Sequence, residues 1–238
     1  MDYQEFNYGS VAAREERVAA AFPALMRKVY LWMALALTIT GFAAWLVATN
    51  TAIQEVIFGN QIVFYGLFIV ELALVIGVSA AINKLSLTVA TLMFVLYSVV
   101  NGALLSSIFF VYTTASIATV FFITAGTFAG MSLFGFVTKK DLSSWGKILV
   151  MALIGVIIAT IVNIFVKSGP LDTILSYVGV LVFVGLTAYD TQKIKQMCLQ
   201  APDAGETMQK YALLGALSLY LDFINLFIYL LRIFGDRK

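Results

Sequence analysis

The chain has 238 residues, of which 61% are hydrophobic and 12% are charged, and its formal net charge is +2. Soluble domains carry about 45–50% apolar residues, so this composition predicts a protein embedded in a lipid bilayer. The absence of histidine excludes Ser-His-Asp and Cys-His catalytic sites, and the single cysteine, Cys198, excludes an intrachain disulfide. No basic tract points to nucleic acid.

The N-terminal residues 1–24 are polar and mixed in charge, which predicts a cytoplasmic tail and no cleavable signal peptide. Residues 25–238 predict a single transmembrane domain. Seven apolar segments in it are long enough to cross a bilayer as helices, at residues 29–49, 61–82, 86–111, 117–137, 148–166, 173–190 and 211–234. In the fourth, the spacing of Gly126 and Gly130 predicts a close helix-packing seam.

Lysine and arginine concentrate on one side of these segments, which predicts a cytoplasmic N-terminus. Eleven fall on the N-terminal side, namely Arg14, Arg17, Arg27, Lys28, Lys84, Lys139, Lys140, Lys147, Lys193, Lys195 and Lys210. The connections on the opposite side contain only Lys167. If the seventh segment is re-entrant, Arg232, Arg237 and Lys238 lie on the same side as the other eleven basic residues. The length of the segment and its lack of proline favour a full crossing.

Three carboxylates, Glu71, Asp190 and Asp222, lie inside these segments. A carboxylate near the middle of a membrane helix costs about 2.5–3.5 kcal/mol on insertion scales, so such residues normally face a bundle interior or a wet cavity. We therefore expect all three to be functional. A protonated acid that hydrogen-bonds to a neighbouring helix is the structural alternative.

Asp222 belongs to a polar stripe on the seventh segment. Spacings of three and four residues align Tyr211, Gly215, Ser218, Asp222, Asn225, Tyr229 and Arg232 on one helix face. The sixth segment is antiparallel to the seventh, so Asp190 can meet Asp222 across their interface. Two carboxylates in contact cannot both ionise cheaply and titrate as a unit, which predicts a pH sensor.

The same acid pair is also a candidate calcium site. Ca²⁺ prefers oxygen ligands, and Asp190 and Asp222 supply carboxylates to which Ser218 and Asn225 can add oxygens. Glu71 would line a cation path with negative charge. Asn101, four residues after Tyr97 on the third segment, either extends that path or forms interhelical hydrogen bonds.

Several motifs resemble the transmembrane Bax inhibitor motif family over essentially the whole chain from Arg27 onward. They read GLTAYDTQKIK at 185–195, LYLDFINLF at 219–227, TAGTFAGMSLFG at 124–135 and TKKDLSSWG at 138–146. The resemblance implies seven helices, the last central and wrapped by the other six. It also implies a pH-sensitive calcium leak, in which aspartates at the positions of Asp190 and Asp222 gate the pore and Glu71 lines it.

The resemblance also raises one discrepancy. Family members often carry an arginine near the end of the second helix that holds the acidic pair, whereas residues 79–84 here read SAAINK. Lys84 or Lys193 would have to replace it, and lysine is a poorer bidentate partner.

These observations together predict a calcium leak channel in a bacterial inner membrane, neither an enzyme nor cofactor-dependent, that interacts with lipid, calcium and protons. One alternative is a membrane interaction protein that regulates a membrane protease or cell-death machinery, as the resemblance implies for some relatives. Another is a proton-coupled cation antiporter. An intramembrane aspartyl protease is disfavoured because Leu219, Tyr220 and Leu221 precede Asp222 where such enzymes carry glycines.

Overall fold

The computed structural model describes the backbone of residues 3–200 and 205–238 and the side chains of residues 23–197 and 205–238. Predictions on the side chains of Arg14, Arg17 and Cys198 lie outside this part. The described residues form nine helices: α1 Tyr3–Thr49, α2 Thr51–Phe58, α3 Gln61–Ala81, α4 Leu87–Leu105, α5 Ile108–Val111, α6 Thr114–Val137, α7 Ser143–Val166, α8 Gly169–Gln200 and α9 Glu206–Phe234.

Seven stretches of the described helices are long and apolar enough to cross a membrane, which agrees with the seven predicted segments. They are Pro23–Thr49, Gln61–Ala81, Leu87–Val111, Thr114–Val137, Ser143–Val166, Gly169–Met197 and Glu206–Phe234. The last three begin four to five residues earlier than predicted, because the polar residues at their starts are also helical. The chain is thus an all-α integral membrane protein.

Short polar residues at the connections explain where the helices begin. The side chains of Asn60, Ser86 and Thr113 accept hydrogen bonds from backbone N–H groups in the first turns of α3, α4 and α6. Asn50 does the same for α2, a short helix that the sequence analysis did not predict. The third predicted segment is interrupted at residues 106–107, between α4 and α5.

Helix α9 is the centre of the bundle, as the resemblance implied. In its most apolar window 72% of the residues are buried, against 6% for α3 and 6% for α7. Helices α1, α4, α6 and α8 pack on α9, whereas α3 packs mainly on α4 and α7 mainly on α8, so four of the other six spans surround α9 directly where the resemblance implied all six. The outer faces of the spans are apolar and exposed, as expected for contact with lipid.

The predicted packing seam at Gly126 and Gly130 is wrong for contacts within this chain. Both glycines are exposed, and a Cβ atom built on either would have no described atom within 4 Å. The close contact of α6 lies instead at Gly135, where a Cβ atom would come within 2.8 Å of the backbone carbon of Ala188 on α8. Regular spacing identified small residues but not the face that points inward.

The residues after α9 fix the far end of the bundle. Thr113 N donates to the carbonyl oxygen of Asp236 (3.0 Å), and Lys238 N donates to that of Val111 (2.9 Å). Tyr112 and Arg237 thereby form an isolated antiparallel β-bridge. The end of α9 therefore lies beside the connection that precedes α6, so α9 runs the full length of the bundle and does not turn back.

Candidate functional site

The polar stripe of α9 contacts α8 through Gly215, Tyr229 and Arg232, and two glycines allow the helices to approach closely. A Cβ atom on Gly215 would lie 2.9 Å from Cγ1 of Ile194, and one on Gly179 would lie 2.7 Å from the ring of Tyr229. These contacts fix an antiparallel register that places Asp190 near the level of Ser218. Along the helix axis, Asp222 therefore lies one helical turn, ~6 Å, from the level of Asp190.

The structure brings the two predicted aspartates together. Asp222 is 4% exposed, and its Oδ2 atom is buried without a hydrogen-bond partner in the described part of the chain. Asp190 interacts electrostatically with Asp222 from α8. An unpaired buried carboxylate oxygen is costly, so this atom is where a proton or a cation would be stabilised.

Lys193 is the basic residue that acts on this pair. It interacts electrostatically with both Asp190 and Asp222, and its ammonium nitrogen lies 5.9 Å from the ring centroid of Tyr189. Lys84 is not among the groups that act on either acid. Of the two lysines proposed to replace the family's arginine, Lys193 is the one that acts on the acid pair, but its side chain is exposed and no ion pair joins it to either acid in the described part of the chain.

A hydroxyl network that the sequence analysis missed holds three helices beside Asp190. Thr191 Oγ1 on α8 lies 3.0 Å from Ser132 Oγ on α6, which lies 2.5 Å from the hydroxyl of Tyr30 on α1. Thr191 also donates to the carbonyl oxygen of Thr187, 2.7 Å away. The sequence did contain a signal for this network, because the two threonines lie four residues apart next to an intramembrane acid.

Glu71 lies apart from the acid pair, in a cavity of about 760 Å³ between α3, α4, α5 and α9. Its polar lining residues are Glu71, Tyr97, Asn101, Ser107, Tyr112, Asn225 and Arg232. Asn101 and Asn225 thus lie on the predicted path with Glu71, whereas Ser218, Asp190 and Asp222 are not among the lining residues. Asn225 belongs both to this cavity and to the polar stripe, three residues after Asp222.

A chain of hydrogen bonds connects Glu71 to the central helix. The amide nitrogen of Asn101 donates to Glu71, and the hydroxyl of Tyr220 donates to Oδ1 of Asn101 at 2.9 Å. The Tyr220 oxygen lies 2.6 Å from Oγ1 of Thr40 on α1. The interhelical role considered for Asn101 is therefore present, and the sequence analysis missed Tyr220 because it lies off the polar stripe.

Arg232 is the basic residue among the residues that line this cavity. Arg232 pairs with Asp172 at the start of α8, at 3.5 Å, and its guanidinium carbon lies 5.4 Å from the ring centroid of Tyr229.

The described residues contain no group of three or more His, Cys, Asp or Glu that could hold a metal ion. Any calcium bound at Asp190 and Asp222 would thus depend on two carboxylates and on neutral oxygens.

The chain is similar to known bacterial membrane proteins over nearly its whole length. The model of the family described as "Inhibitor of apoptosis-promoting Bax1" matches residues 23–238. An inner membrane protein of Escherichia coli K12, YbhL, is 53% identical over 92% of this chain and 94% of its own length. An uncharacterized protein of Borreliella burgdorferi is 44% identical over 90% of this chain and 92% of its own length. The chain therefore belongs to the Bax1 inhibitor family, as its motifs on α6, α8 and α9 indicated.

Proposed function

We propose that this protein is a pH-sensitive cation leak, with calcium as the transported ion and the Asp190–Asp222 pair as its gate. One observation carries the proposal: Asp222 is buried at the bundle centre with an unpaired carboxylate oxygen and a second acid beside it. Two such acids share protons, so a change in pH changes the charge at the α8–α9 contact. That charge would set which packing of the two helices is preferred.

The cavity beside Glu71 would form the section of the path at the end of the bundle that holds the C-terminus. Asn225 joins it to the gate, since this residue lines the cavity and lies one turn from Asp222 on the same face of α9. The residues of α9 around Asp222 and Asn225 are tightly packed: Tyr220 and Leu226 are 0% exposed. A closed state of the leak would have this arrangement.

The experiment is calcium flux into proteoliposomes across a range of pH, with wild type compared with Asp222→Asn and Asp190→Asn. Each asparagine keeps the side-chain volume and removes one titratable group. We expect both variants to lose the pH response. Wild-type flux with an unchanged pH response in Asp222→Asn would refute the proposal.

The membrane location and the orientation of the chain are inferred from the relatives and from the distribution of lysine and arginine. The E. coli relative is an inner membrane protein, which supports the same location here. The excess of lysine and arginine on one side supports a cytoplasmic N-terminus. Under this proposal the partners are lipid, calcium and protons, and the protein is a channel without enzymatic activity.

A further inference from the structure

The cavity beside Glu71 has the size and the walls of a small-molecule site. Its volume of about 760 Å³ lies within the range of roughly 300–1,000 Å³ that is usual for ligand pockets. Most of its lining is apolar, and five aromatic side chains contribute to it: Phe58, Phe64, Phe68, Tyr97 and Tyr112. Such walls stabilise a flat or branched apolar body.

Glu71 is the acidic residue of this cavity, and it has hydrogen-bond donors but no cationic partner. Asn101 and Tyr97 donate to its carboxylate, and both are neutral. In the described part of the chain, ion pairs join Arg232 to Asp172 and Lys210 to Glu206, and none involves Glu71. An ionised Glu71 would thus face apolar walls without a counterion, which is costly.

The cavity is poorly suited to a dehydrated calcium ion. Ca²⁺ takes about six to eight oxygen ligands. Among the polar lining residues, Asn101 directs its oxygen to Tyr220 and its nitrogen to Glu71, and the Ser107 hydroxyl donates to the Leu104 carbonyl. One carboxylate and a few neutral oxygens remain. An organic cation needs only one carboxylate, and aromatic faces within about 6 Å also attract it.

We propose that this cavity binds an amphiphilic organic cation, with its charge next to Glu71 and its apolar body against the aromatic walls. This site lies in the cavity that the proposed path includes but apart from the acid pair, and binding there does not require the gate to conduct. A lipid acyl chain would fill the same walls but would leave the Glu71 charge uncompensated. Arg232 also lines the cavity, but it is paired with Asp172, so Glu71 is the acid left to select a cation.

The first test uses the wild-type chain alone. The full-length protein, purified in detergent, is dialysed against tetraphenylphosphonium, and binding in excess of that to empty micelles is measured. Triphenylphosphine oxide serves as the neutral aromatic control. We expect saturable binding of the cation that is at least about tenfold tighter than that of the neutral control. Absent binding, or equal binding of the two compounds, would overturn the proposal.

The second test locates the site. Glu71→Gln keeps the side-chain size and one accepting oxygen, removes the charge and should weaken cation binding by about tenfold or more. Glu55→Gln, on α2 and not part of the cavity lining, is the matched acidic control and should bind as wild type does. Asp222→Asn should also retain binding even if it loses calcium flux, so failure of the gate and failure of this site are distinguishable. Unchanged binding in Glu71→Gln would contradict the assignment.

Discussion

The hydroxyl of Tyr220 on the central helix donates a hydrogen bond to Oδ1 of Asn101 on α4, 2.9 Å away. Asn101 in turn donates to Glu71 on α3. This bond therefore connects the position of the central helix to the carboxylate of the outer cavity.

Removal of that hydroxyl should destabilise the fold measurably. In Tyr220→Phe, the part-buried Oδ1 of Asn101 and the buried hydroxyl of Thr40 each lose a hydrogen-bond partner, and we expect a loss of about 1–3 kcal/mol of stability. Thermal unfolding of the purified protein in detergent measures it. Tyr177→Phe is the control, since Tyr177 is 55% exposed. An equal effect of the two substitutions would show that the buried hydrogen bond is not the cause.

Two glycines of α6 should respond in opposite ways to alanine. At Gly135 the new Cβ atom would overlap the Ala188 backbone, which cannot move as a side chain does, so we expect a loss of about 1–3 kcal/mol. At Gly130 the space is open, and alanine should be neutral or stabilising by up to about 1 kcal/mol because of its higher helix propensity. Thermal unfolding of both variants compares them directly. A tolerated Gly135→Ala would place the close α6–α8 contact elsewhere.

The two lysines that were candidates for the missing arginine make a matched pair. Lys193→Met should shift the pH response of calcium flux, because Lys193 acts electrostatically on both acids of the proposed gate. Lys84→Met should leave that response unchanged. The flux measurement across pH checks both variants. If only Lys84→Met shifts the response, the assignment to Lys193 is wrong.

Asp141, in the connection between α6 and α7, should contribute a pH-dependent increment of stability. Hydrogen bonds from the Ser143 hydroxyl and backbone N–H lower the pKa of the Asp141 carboxyl below its usual value. A lowered pKa means that the contribution is complete above the unfolded-state pKa and is lost as the pH falls through the folded-state pKa. The difference in melting temperature between wild type and Asp141→Asn should therefore shrink between about pH 6 and about pH 3.

The C-terminus should be on the opposite side of the membrane from the N-terminus. The contacts of residues 236–238 with residues 111–113 place the end of α9 at the far end of the bundle. In a Cys198→Ser background, a cysteine added after Lys238 should react with an impermeant thiol reagent in intact cells whose outer membrane is permeabilised. A cysteine near residue 10 should react only after lysis. Labelling of the C-terminal cysteine only after lysis would contradict the full crossing.

The sequence predicted those features that depend on spacing along one helix. The stripe through Asp222 and Asn225 follows from the helical period, and its antiparallel neighbour made a meeting with Asp190 foreseeable. Tyr220 was not foreseeable, because an isolated tyrosine among leucines gives no indication of a partner 119 residues earlier in the chain. The choice between Lys193 and Lys84 likewise required the packing of α8 on α9.

The central position of α9 has a consequence for biosynthesis. Among the described helices, the one on which four others pack is also the last to be synthesised. Before α9 is inserted, the bundle is incomplete. Inward-facing polar groups such as Thr40, Asn101 and Thr191 then lack the neighbours that they have in the folded protein. Completion of the fold therefore requires the insertion of α9, and the six earlier spans form an intermediate on which membrane chaperones or proteases can act.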